Sequence, residues 1–263
     1  IPIIGGMVSR NAVLLPEDGT DLENWESESV DVVNDSLKNF RILGFAYEYD
    51  VEKNIELILD FYPDTKHIAF ISDNSYGGVS LQALVKEEMR EKYPDLDLIL
   101  LDGRKHTVYS ITEKISTLPE KTAILLGTWR VDKNDGYFMR NATYSMMMTN
   151  PGLPAFTVTS IGMGYWATGG RVPEYRTVGK DIARLVIGLE NQSDSVLSEQ
   201  GLQIIPNQYC FDYEKLRKGN FLNKEVAKGA LFYNKKLSYF EEYKYQIIGV
   251  ALAFILLLLG FVL

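Results

Sequence analysis

Cysteine is almost missing from this chain. Cys210 is the single one in 263 residues, which excludes an internal disulfide and any multi-cysteine zinc or iron–sulfur centre. Histidine is nearly as scarce: His67 and His106 leave little room for a histidine-based metal centre, so no metal is expected. Basic charge is short as well. Lys and Arg number 27 against 35 Asp and Glu, a net charge of −8, and phosphate neutralisation needs a basic face, so no nucleic-acid partner is expected. The sequence has no GxSxG elbow, P-loop, HExxH or GxGxxG arrangement after a strand, so no catalytic residue and no cofactor is assigned. No sequence repeat suggests a solenoid. What is present is ordinary for a globular protein: 46% hydrophobic and 24% charged residues. The length fits one large domain or two small ones, at roughly 150 residues each.

Long apolar runs are absent until the end. Residues 247–263, IIGVALAFILLLLGFVL, contain no charge over 17 positions. As a helix they would span about 25 Å at 1.5 Å per residue, against a bilayer core of about 30 Å. The run has no polar face and is predicted to be a transmembrane helix. Tyr233, Tyr239, Phe240, Tyr243 and Tyr245, mixed with Lys235, Lys236 and Lys244, suit the headgroup region before it. Both ends are expected to be cut: the chain opens on Ile1 rather than Met, and the apolar run stops without a polar flank.

The middle of the chain alternates strand and helix patterns. Residues 66–72, 96–101, 121–126 and 153–158 are short apolar runs rich in β-formers, their starts about 25 to 32 residues apart, the length of a βαβ unit. Between the first two, Leu81, Leu84, Val85 and Met89 recur at helical spacing; Ile111, Ile115 and Leu118 do so in the next interval. The pattern over 137–148 is less regular, and Met146 to Met148 are read as packing. Residues 40–46 read as a strand, 51–61 as a helix, 173–190 as a long helix, and 201–205 and 208–212 as short strands. Near-continuous apolar strands alternating with helices predict an α/β fold, a parallel sheet flanked by helices on both faces.

In such sheets ligands sit beyond the carboxyl ends of the strands. Four loops qualify: Ser72 to Gly78, Asp102 to Arg104, Gly127 to Arg130, and Thr159 to Trp166. Their glycines, small polar groups and large aromatics suit a small molecule. Asp73, Asn74, Ser75 and Tyr76 open a helix, either capping it or offering its free N–H groups to a ligand. Thr128 and Trp129 follow a strand end, with Trp129 either core or ligand platform. Tyr165 carries the same two readings. His106 follows the second strand without an evident partner.

The order "IPIIGG", "LGFAYEYD", a helix, "HIAFISDNSYGG", three more strand–helix units and "GRVPEYRTVGKDIARLVIGLEN" resembles the type I periplasmic binding protein fold. "PNQYCFDYEKLRKGNF", followed by an aromatic segment and an apolar run, resembles the sensor regions of bacterial membrane receptors, particularly sensor histidine kinases. The resemblance implies lobe two plus part of lobe one, most of lobe one being expected before Ile1. Residues 1–39 would be a remnant of lobe one and crossover, 40–172 the ligand-binding lobe two, and 173–230 the return helix and hinge strands. Residues 231–246 would be juxtamembrane and 247–263 the truncated transmembrane helix. It further implies a small-molecule ligand held between lobes by Tyr47, Asp73, Asn74, Ser75, Tyr76, Thr128, Trp129 and Tyr165, with Tyr47 also readable as a hinge contact. Residues 1–245 would lie outside the bacterial inner membrane, in a homodimer with a cytoplasmic kinase module in the same chain. The alternatives are a membrane-tethered solute-binding protein of an ABC transporter and, more remotely, an extracytoplasmic hydrolase.

Overall fold

The computed structural model describes residues 3–138, 140–189, 201–236 and 239–262. It divides into two units, Ile1–Tyr233 and Asn234–Leu263.

The first unit opens on β1 (Ile3–Ser9), a two-stranded antiparallel ribbon of β2 (Asn11–Val13) and β3 (Ser29–Asp31), and β4 (Ile42–Tyr47). Helix α1 (Val51–Phe61) starts where the Asp50 carboxylate accepts from Lys53 N, and stops just before Pro63. Then follow β5 (His67–Ser72), α2 (Tyr76–Lys92), β6 (Asp97–Asp102), α3 (Val108–Ser116), β7 (Thr122–Leu126), α4 (Arg140–Met148) and β8 (Ala155–Thr157). After β9 (Gly169–Pro173) come α5 (Val178–Leu189), β10 (Leu202–Ile204), β11 (Asn207–Asp212), α6 (Tyr213–Lys218) and β12 (Leu231–Tyr233). The four apolar runs of the sequence are thus β5 to β8.

The strands build a large sheet, ordered β12-β11-β9-β8-β7-β5-β6, and a small parallel sheet, ordered β1-β4-β10. In the large sheet β6, β5, β7, β8 and β9 run parallel, and β11 is antiparallel to β9. Side-chain alternation explains the near-continuous apolar strands. Ile68, Phe70, Ala123 and Leu125 pack with α1 and α2 on one face. Ala69, Ile71, Ile124 and Leu126 pack with Ile111 and Ile115 of α3 and Met146 and Met147 of α4 on the other. Both faces are buried, so no polar position is needed. The chain steps from β5 to β6 on one side and then to β7 on the other. That reversal places the crevice of an open α/β sheet between the ends of β5 and β7.

The chain crosses between the sheets three times. Residues 48–50 lead from β4 to α1, 174–177 from β9 to α5, which packs on β1 and β4, and 205–206 from β10 to β11. Arg10 Nε reaches Asp31 at 2.9 Å and its Nη1 reaches Glu48 at 2.5 Å; Arg171 Nε reaches Asp50 at 2.6 Å. Asn54 is wholly buried: its amide donates to the Arg171 carbonyl and its Oδ1 accepts from Arg171 N, binding α1 to β9. Glu174 ties the second and third crossings. Its N–H donates to Pro206 O, and its carboxylate accepts from Arg176 and from the Gln208 amide.

Two elements differ from the sequence expectation. Residues 169–173 form β9, and the helix read over 173–190 begins at Val178. Gly169 and Gly170 carry little strand propensity; what makes them a strand is close approach. A Cβ at Gly170 would strike the Thr157 carbonyl oxygen, and one at Gly169 the Phe211 ring. Residues 231–233, read as juxtamembrane, form β12, parallel to β11 and at the edge of the large sheet. Part of the expected return helix, residue 190, lies outside the described residues, as do 237 and 238 of the expected juxtamembrane segment.

The second unit contains α7 (Tyr239–Glu242) and α8 (Lys244–Val262). No helix among the described residues is long and apolar enough to cross a membrane. The side chains of 256–258 and 260–262 lie outside the described ones.

The Arg176 hydrogen bonds hold the Glu174 carboxyl down to about 2, below its ordinary 4.5. A depressed carboxylate stabilises the fold fully above its unfolded value and loses that contribution as pH falls towards the folded one. Urea unfolding should therefore show a stability loss between about pH 4.5 and 2 that is shallower in Glu174→Gln. An identical slope in the variant would contradict this role.

Candidate functional site

The site is organised by a carboxylate at the end of β5. Asp73 is 1% exposed, and its oxygens are taken by two loops. Oδ1 accepts from Ser75 N at 3.1 Å and Ser75 Oγ at 2.5 Å. Oδ2 accepts from Thr128 Oγ1 at 3.2 Å and Arg130 N at 2.8 Å, both in the loop after β7. Ser75 caps α2 through Oγ, which accepts from Gly78 N, and the Asn74 N–H donates to Val131 O. A Cβ at Gly78 would collide with Asp73, so only glycine fits there.

Residues 11–31 lie across this corner as a strap. The Tyr76 hydroxyl donates to Val13 O at 2.7 Å, and Val13 N donates to Ser80 Oγ. Trp25 packs against Val13, Val79 and Ala83. Buried Arg104 holds the far end: it pairs with Asp102, donates to Gln82, and donates to the carbonyls of Leu22 and Trp25. Burial resists ionisation of Asp102, but the Arg104 hydrogen bonds outweigh it and lower its pKa. The strap also explains why α2 shows a weak amphipathic pattern, since it is covered on two sides.

Trp129 sits between the two residues that hold Asp73, and its ring belongs to the core on the α3–α4 face. It is 2% exposed, and its Nε1–H has no hydrogen-bond partner among the described residues. Trp129 lines a cavity of about 670 Å³. That volume lies within the range of small-molecule sites, about 300–1,000 Å³. The other walls come from the loop after β7 (Arg130, Tyr137, Phe138), the start of α4 (Asn141, Tyr144), the loop after β8 (Ser160 to Trp166) and Tyr233 at the end of β12. Seven of the lining side chains are aromatic. Trp129 and Trp166 are buried, whereas Tyr137, Tyr144 and Tyr165 are exposed. Among the described residues, Arg130 is the only Lys or Arg in the lining, and none of the lining residues is acidic. The Thr159 hydroxyl donates to Gly127 O at 2.6 Å and joins the two strand-end loops. Gly162 has a φ of +85°, and a Cβ there would overlap the Trp166 ring.

The structure thus separates the residues singled out by sequence. Asp73, Asn74, Ser75, Tyr76 and Thr128 gather at the β5–β7 corner beneath the strap. Trp129 and Tyr165 line the cavity. Tyr47 stands at the end of β4 beside the first crossing, edge-on to Tyr49 and Tyr175 with ring centroids 5.2 and 5.9 Å apart. Burial raises the Tyr49 pKa, and it pushes Tyr175 up to about 12. His106 Nδ1 lies 3.4 Å from Ser110 Oγ at the start of α3, outside the cavity lining. The sequence reading does not assign Arg130, Tyr137, Tyr144 or Tyr233 to the site: it names Arg130 only as the end of a candidate loop and reads Tyr233 as juxtamembrane. The irregular pattern of 137–148 was the available signal, because two of these tyrosines face the cavity rather than the core.

No protein-family model and no curated protein matches the chain. Solved structures do match in fold. One is the ligand-free, open structure of CD0873 from Clostridium difficile, a substrate binding protein with adhesive properties. It is 14% identical, with a TM-score of 0.54 over 74% of this chain and 63% of that one. Another is the ABC domain in complex with L-Trp from Streptococcus pneumonia, 12% identical, with a TM-score of 0.54 over 73% and 63%. A third, a conserved domain protein from Vibrio cholerae, is 15% identical, with a TM-score of 0.52 over 74% and 64%. The chain spans less than two thirds of the length of these structures. The likeness shows the fold alone: a mixed α/β architecture with a parallel-dominated sheet, shared with these structures.

Asparagine cannot replace Asp73. Either orientation of its amide sets an NH₂ against a backbone N–H, of Ser75 or of Arg130. Asp73→Asn should lower unfolding stability by about 1–3 kcal/mol in urea, the penalty of a buried unmatched donor. An unchanged midpoint would contradict the bracket.

Proposed function

We propose that this chain is the extracytoplasmic, small-molecule-sensing part of a membrane-anchored bacterial signalling receptor, of the sensor histidine kinase kind. The observation that carries the reading is the aromatic cavity of about 670 Å³ in the lobe of the large sheet, joined by a three-crossing hinge to a second sheet. A ligand that binds one hinge arrangement better than another shifts the population towards it, by no more than its differential affinity. Residues 247–263 would anchor the chain, an assignment resting on their uncharged sequence, with residues 1–245 outside the inner membrane. A cytoplasmic kinase module in the same chain and a homodimer belong to this reading through the resemblance alone. The second reading is a membrane-tethered solute-binding protein of an ABC transporter, favoured by the fold likeness to substrate-binding proteins.

A chimera separates them. The chain is grafted onto the cytoplasmic module of a sensor kinase with a known reporter and challenged with fractionated growth medium. The receptor reading predicts a reporter response to one fraction that Trp129→Ala abolishes. A membrane-inserted chimera with constant output across all fractions would overturn that reading in favour of the tethered binding protein.

A further inference from the structure

The lining of the cavity is unbalanced in charge. Arg130 is exposed and enters no ion pair among the described residues, its backbone N–H alone being held by Asp73. Trp129 and Trp166 present buried ring surface to the same cavity. Among the described residues, no Asp or Glu lines the cavity to receive a cation. The aromatic rings meanwhile favour a flat apolar body, offset-stacked or edge-on.

Resting on the reading that this cavity takes a small molecule, we infer that its ligand is an aryl carboxylate without an ammonium group. The carboxylate is taken by the Arg130 guanidinium and the ring lies among Trp129, Trp166 and the tyrosines. A charge-assisted hydrogen bond to a guanidinium is the strong kind. An α-ammonium would enter beside Arg130 and meet no carboxylate, which makes its desolvation uncompensated. Ring faces attract ammonium groups too, so a matched pair of ligands decides which effect is larger.

Indole-3-propionate and L-tryptophan form that pair, differing by the ammonium alone. Calorimetric titration of the full chain in nanodiscs should show indole-3-propionate binding at least about tenfold more tightly. Arg130→Gln should weaken it about 10- to 100-fold, the range for a lost charge-assisted hydrogen bond, and Arg130→Lys by less. The Arg130 variants change an exposed side chain that bonds to no described residue, so their folding is checked by an unchanged melting temperature. Equal or tighter binding of L-tryptophan would overturn the ligand class and leave the small-molecule reading standing. If Trp129→Ala alters neither the binding of any of these compounds nor that of a neutral sugar such as D-arabinose, the cavity itself is not a ligand site.

Discussion

The corner at Asp73 is the constraint on which the arrangement depends. A buried carboxylate needs donors on both oxygens, and here two loops from neighbouring strands provide them. Because Thr128 and Arg130 are both bound to the same oxygen, Trp129 between them is turned to the opposite side. Its ring enters the α3–α4 face and becomes the floor of the cavity. The same carboxylate positions Ser75 as the cap of α2, and α2 carries the strap. One interaction therefore fixes the sheet's switch point, the start of a helix and the orientation of the principal aromatic.

The hinge is built on different chemistry. Its ion pairs, Arg10 with Asp31 and Glu48 and Arg171 with Asp50, are partly exposed. Pairs of this kind contribute little each, about 0–1 kcal/mol. The three tyrosines add edge-on ring packing around the first two crossings. Buried Asn54, bonded twice to the Arg171 backbone, and Glu174 add firmer links to these exposed pairs, so the crossings combine weak and strong contacts.

Much of this was legible in the sequence, for identifiable reasons. Strands β5 and β7 are buried on both faces and β6 is partly covered on both, so they read as continuous apolar runs, and α1 is bounded by Asp50 and Pro63. Strand β9 was not legible, because Gly169 and Gly170 are dictated by the proximity of Phe211 and the Thr157 carbonyl rather than by propensity. The strap is polar and acidic, and its bonds to Tyr76, Ser80 and Arg104 join residues some 60 to 80 positions apart. Strand-end logic found the loop containing Trp129 and the loop containing Tyr165. It could not tell which side of the sheet each residue would take, since that depends on the Asp73 bracket. The contact of Tyr47 with Tyr175, more than a hundred residues away, was likewise not legible in the sequence.

The most direct test of a ligand-holding lobe joined to a movable hinge is amide hydrogen exchange on the full chain, with and without indole-3-propionate. The account predicts slowed exchange at 129–138 and 160–166, where the cavity is lined, and altered exchange at the crossings 48–50, 174–177 and 205–206. Exchange that is unchanged in all of these segments, or changed only elsewhere, would contradict it.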